Sequence, residues 1–276
     1  MSYKILMTHL DLDEGGEGRV SLAAALAERF DAALIGVSAW APSPAFGADG
    51  AMIESMPELP DLAVMEDLLK ARGERFRAIA GKAGKPAEWR SGIELPTEFV
   101  VREGRAADLL IVGGTRHPVL RDPYRSVDPG AVLLGAGRPI LLVPPGVASL
   151  AGKRIAVAWK DTREARRAIT DALPLLQQAE TVAIVEICEP EEESSARHRL
   201  AEVGQFLARH GVGTASERVR PIEGTPTSSL LGFVRDEAID LIVAGGYGHT
   251  RLGEWIFGGV TRDLLTHSPV CCLLSH

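Results

Sequence analysis

The residues best suited to chemistry lie near the carboxyl end, where glycines cluster twice: Gly245-Gly246-Tyr247-Gly248-His249, then Gly258-Gly259-Val260-Thr261. Glycine reaches backbone angles closed to other residues and lets a ligand touch the main chain. Successive N–H groups in such turns form anion-binding hollows. The second cluster leads into Val260-Thr261-Arg262-Asp263-Leu264-Leu265, a helix-forming stretch. A helix N-terminus offers unpaired N–H groups and a partial positive charge to a phosphate. A triphosphate could lie between the two clusters. Glycine after a strand can also be only a tight turn; a second cluster ahead of a helix is what points to an anion. His249 can meet phosphate or face solvent.

Asp240-Leu241-Ile242-Val243-Ala244, just before the loop, is apolar almost throughout, the mark of a strand buried on both faces. The pattern recurs along the chain. Lys153-Arg154-Ile155-Ala156-Val157-Ala158 restarts the motif of Tyr3-Lys4-Ile5-Leu6-Met7, and Asp108 to Gly114 matches Asp240 to Gly246. Arg138-Pro139-Ile140-Leu141-Leu142-Val143 matches Ser268-Pro269-Val270-Cys271-Cys272-Leu273, so the landmarks keep their order in both halves. This reads as a duplication. Pro144-Pro145-Gly146 ends a strand and opens a linker, dividing the chain into domains over 1–146 and 150–276. Strands are expected near 3–9, 33–39, 86–92, 108–113 and 139–143, then near 153–159, 181–187, 216–222, 240–244 and 269–274. With helices between them, the fold class is α/β: two tandem, doubly wound, five-stranded parallel sheets. Ligands of such sheets bind beyond the carboxyl ends of the strands.

The spacing Gly245-x2-Gly248-x9-Gly258, with His267-Ser268-Pro269-Val270 beyond it, resembles the carboxyl-terminal signature of the universal stress protein family. Nearly the whole chain resembles that family as two copies. The resemblance implies an adenine nucleotide, ATP with Mg2+ accompanying it, in the second half. It implies a site of Ala158, Trp159, Lys160 and Ile187 at the strand ends, with Gly245, Gly246, Gly248, His249, Gly258, Gly259, Val260 and Thr261 around the phosphates. It also implies pairing of the two fifth strands within one chain, with a homodimer as a further arrangement. Two positions depart from the family. Gly259 stands where a hydroxyl residue is usual, and Lys160 stands where ATP-binding members carry an Asp near the adenosine. Lys160 can meet a phosphate as a point charge or lie in solvent. In the first half, Arg116-His117-Pro118 follows Gly113-Gly114-Thr115, and Asp128-Pro129-Gly130 stands opposite Gly258-Gly259-Val260. Asp128 would repel phosphate and Pro129 has no N–H to offer, so no ATP is expected there.

Thr225-Pro226 reads as an N-cap and first helical residue, in a loop that lies near the ribose in the family. The net charge of −7, with dispersed Lys and Arg, argues against a nucleic-acid partner. Cys188, Cys271 and Cys272 make no disulfide framework, and no leader or membrane-length apolar run is present, so a cytoplasmic protein is expected. No paired His or Cys suggests a metal. No nucleophile elbow or P-loop is present, so no catalytic residue is assigned and any ATP hydrolysis should be slow. The competing expectation is an interaction module whose nucleotide sites have decayed in both halves.

Overall fold

The apolar runs form strands and the amphipathic stretches between them form helices. The computed structural model describes residues 2–12, 16–43, 62–81, 87–114, 122–213, 215–247 and 259–276. In the first half the strands are β1 (Ile5–His9), β2 (Ala33–Ala39), β3 (Ala87–Gly92), β4 (Leu109–Gly113) and β5 (Ile140–Val143). They alternate with α1 (Glu17–Phe30), α2 (Leu62–Ala80), α3 (Pro96–Glu103) and α4 (Pro129–Gly135). The second half repeats the order with β6 (Arg154–Ala158), β7 (Thr181–Cys188), β8 (Ala215–Pro221), β9 (Leu241–Gly245) and β10 (Cys271–Ser275). Its helices are α5 (Arg163–Leu176), α6 (Glu193–Arg209), α7 (Pro226–Asp236) and α8 (Gly259–His267). The long connection over 42–60 falls mostly outside the described residues, as do Arg116, His117, Gly248, His249 and Gly258.

Within each half all strand pairs are parallel, and the halves meet through one antiparallel pair, giving a single sheet ordered β3-β2-β1-β4-β5-β10-β9-β6-β7-β8. At that seam Leu142 faces Cys272, Leu141 faces Leu273 and Ile140 faces Leu274. A pseudo-twofold axis therefore passes by Leu141 and Leu273.

The register corrects the sequence alignment of this region. Val112 pairs with Leu142 in the first half and Ala244 pairs with Leu274 in the second. The Gly114 N–H donates to the Val143 carbonyl (2.9 Å) as the Gly246 N–H donates to that of Ser275 (2.7 Å). Ile140 is thus the counterpart of Cys272, two residues beyond the Val270 that the prolines suggest. Carried into the preceding helices, the same shift sets Asp128 opposite Val260, and Val127 opposite Gly259.

Strand residues alternate between two apolar layers. One layer packs Leu6, Leu10, Val157 and Leu273 against α1, α2, α5 and α6. The other packs Met7, Ala156, Ile242 and Cys272 against α3, α4, α7 and α8. Both layers run unbroken across the seam. Cys271 and Cys272 point to opposite layers and both are buried. No helix among the described residues is long and apolar enough to cross a membrane.

Candidate functional site

In each half the strand order reverses beside the first strand, between β6 and β9 in the second half and between β1 and β4 in the first. A doubly wound sheet opens its ligand crevice at such a reversal. In the second half, β6 delivers Ala158, Trp159 and Lys160 to this edge, but not to one side of it. Ala158 and Ile187, at the ends of β6 and β7, join the α7/α8 layer. The Trp159 indole turns to the opposite layer, where it lines an open groove of about 440 Å³ with Ile169, Val203 and Phe206. Lys160 lies two residues beyond the end of β6 and is exposed.

The loop glycines have packing duties of their own. A Cβ on Gly245 would stand 2.5 Å from the Ala165 nitrogen at the start of α5. A Cβ on Gly246 would stand 2.5 Å from the Leu133 side chain of the first half. The Gly246 N–H is used by the Ser275 carbonyl, and the Tyr247 N–H donates to Thr261 Oγ1 at 3.2 Å. Tyr247 adopts φ 57°, and its hydroxyl lies 2.7 Å from where a Cβ on Gly130 would stand. Burial, and then the Asp128 carboxylate, push the Tyr247 phenol above its ordinary range.

Gly259 differs. It opens α8 and is exposed, and among the described residues nothing lies within 4 Å of where its side chain would be. No described residue therefore covers that side of the first turn of α8. Val260 is half-buried and Thr261 is buried. Behind them α8 is tied to α7, where Thr227 Oγ1 donates to Asp263 Oδ2 at 2.8 Å. The start of α7 closes on itself. The Ser228 N–H donates to Thr225 Oγ1 (3.1 Å) and the Thr225 N–H to Ser228 Oγ (2.9 Å), a reciprocal capping box. Among the described residues no group of three or more His, Cys, Asp or Glu could hold a metal.

In the first half, α4 starts behind its own carboxylate. Asp128 Oδ1 accepts from the N–H groups of Gly130 (2.9 Å) and Ala131 (3.2 Å), and Pro129 supplies none. A phosphate would find those amides occupied.

At the end of β1 the structure shows residues that the sequence reading missed. The Lys4 and Ile5 N–H groups donate to Asp108 (2.7 and 3.0 Å), as those of Lys153 and Arg154 donate to Asp240 (2.9 and 3.2 Å). Leu6 pairs with Leu109 where Ile155 pairs with Leu241. Asp11 is therefore the counterpart of Lys160, and His9 of Ala158. The first half keeps an acidic residue at the strand end where the second has lysine. Asp11 is engaged by its own chain: Oδ2 accepts from Arg19 at 2.5 Å, and Oδ1 lies 3.3 Å from His9 Nδ1. Burial alone would raise the Asp11 carboxyl, but Arg19 and His9 hold it well below the usual carboxylate range. Asp11 lies five residues after Leu6 as Lys160 lies five after Ile155, but only the sheet register shows that Leu6 and Ile155 correspond.

Residues 152–276 match the family model described as the universal stress protein family. No match is found among curated proteins. A universal stress protein from Archaeoglobus fulgidus DSM 4304 superposes with a TM-score of 0.75 at 15% identity, over 98% of this chain and 95% of that one. A functionally unknown protein from Pseudomonas aeruginosa PAO1 superposes with a TM-score of 0.58 at 14% identity, over 99% of this chain and 92% of that one. At these identities the likeness is one of fold, and it extends over both halves.

Proposed function

We propose, because residues 152–276 match the model of the universal stress protein family, that this half binds an adenine nucleotide, ATP with its Mg2+, and that the whole chain acts as a nucleotide-responsive regulatory protein with no fast catalysis. The contrast between the two helix starts carries this reading. Asp128 seals α4, whereas α8 opens on Gly259 with no described atom over it. An anion at α8 would meet the first-turn main-chain N–H groups and the positive end of a nine-residue helix. The Gly245-x2-Gly248-x9-Gly258 spacing supports the same ligand. With Gly246 and Tyr247 N–H groups already bonded internally, the phosphate contacts fall to the Gly259–Val260 turn, and Lys160 supplies a cation. Ala158 and Ile187, on the α7/α8 side, suit the base and sugar better than Trp159 does.

A second reading, an interaction module that binds no nucleotide, is favoured by those same two internally bonded amides. Isothermal titration of ATP with Mg2+ into wild type and Gly259→Asp separates the two. The new carboxylate meets no described residue, so the fold should survive while the phosphate is repelled. Binding by wild type that is lost in the variant supports the nucleotide. Absence of heat with folded wild type leaves the interaction module.

A further inference from the structure

Arg19, on α1, is only 7% exposed, although it carries a full charge. We propose that the crevice of the first half is a binding site for a guanidinium cation, which the chain fills with Arg19 as its own ligand.

Two acceptors are set to a guanidinium fork. The Arg19 Nε–H donates to the His9 carbonyl at 3.0 Å and a terminal N–H donates to Asp11 Oδ2 at 2.5 Å. Both acceptors come from the end of β1, beside the strand reversal where this fold receives ligands. Bare main chain surrounds the group. A Cβ on Gly113, at the end of β4, would stand 2.1 Å from one terminal nitrogen of Arg19. A Cβ on Gly16, which also needs its φ of 80°, would stand 3.0 Å from the other and 3.0 Å from Asp11 Oδ2. Any side chain at Gly113 would displace the guanidinium. The second half keeps the matching glycine, Gly245, but α5 carries Ala165 in the place of Arg19. Lysine would not reproduce Arg19, because its single ammonium nitrogen cannot match the separated Nε and terminal donors of the planar fork. His9, 2% exposed, stands on the other side of Asp11 and restrains the carboxylate.

The test is chemical rescue. Arg19→Ala should melt below wild type. Millimolar methylguanidinium should raise its melting temperature along a saturating curve, by about 3–5 °C at ten times the dissociation constant. The same salt should leave wild type unchanged, and methylammonium should rescue neither protein. The double variant Arg19→Ala/Asp11→Asn should show no rescue. Equal responses to methylguanidinium and methylammonium, or an equal rise in wild type, would overturn the proposal. Should Arg19→Ala not fold alone, refolding from urea with methylguanidinium, followed by circular dichroism, gives the same decision: recovery supports the site and failure to recover sinks it.

Discussion

Replacing Gly245 with alanine tests whether the loop glycine is kept by packing, independently of any ligand. The added methyl would lie 2.5 Å from the Ala165 nitrogen, 2.8 Å from the Glu164 carbonyl carbon and 3.0 Å from the Ala165 Cα. All three are backbone atoms, so no rotamer change relieves the contact, and the first turn of α5 must retreat by the better part of an ångström. That turn carries the bond from the Ala165 N–H to Thr162 Oγ1, at 3.3 Å already long. Overpacking a rigid site costs about 1–3 kcal/mol, and loosening the cap adds about 1 kcal/mol. The expected destabilisation is about 2–4 kcal/mol, read as a fall of roughly 5–10 °C in melting temperature. Thermal unfolding should be followed without nucleotide, with Gly81→Ala as the control. There the new methyl meets no described residue within 4 Å, and the change should stay within about 0.5 kcal/mol. A Gly245→Ala protein as stable as wild type would refute the packing duty and return this glycine to the ligand alone.

Other outcomes follow from the same contacts. Asp128→Ala should destabilise by about 1 kcal/mol in urea unfolding, since two first-turn amides lose their acceptor. The same change should lower the Tyr247 phenol pKa in a spectrophotometric titration, because the Asp128 charge helps hold it up. The folded Asp11 carboxyl titrates below its unfolded value, so its contribution to stability is complete above about pH 4 and is lost as pH falls through the folded value. Asp11→Asn should therefore be less stable than wild type at neutral pH and flatter in a stability profile below pH 4. Burial pushes the Cys271 and Cys272 thiols up to about 12 and raises Cys188 as well. The native protein should thus leave all three unlabelled by a disulfide reagent at pH 8, with reaction appearing only on unfolding.

The strands were legible because each is a short apolar run between turn residues, and burial on both faces leaves little room for polar interruptions. The capped start of α7 was legible for a similar reason, since Thr225-Pro226 can do little else. The alignment of the halves was not. Pro139 and Pro269 look equivalent, yet the hydrogen-bond ladder sets Ile140 against Cys272, because a two-residue difference ahead of a strand is invisible when neighbouring residues are all apolar. The same blindness hid Asp11: Ile5 imitates Ile155, although its counterpart in the sheet is Arg154. No motif in the sequence marks Arg19 for burial. Its burial depends on Gly113, nearly a hundred residues away, and only the fold brings them together.

The seam between β5 and β10 joins two halves of one polypeptide, so dilution cannot part them and neither can trade its partner for another copy. In a symmetric assembly of identical chains, a change in one crevice is imposed on both. Here each crevice is encoded separately, so an arginine can plug one while the other carries alanine at the matching place on its helix.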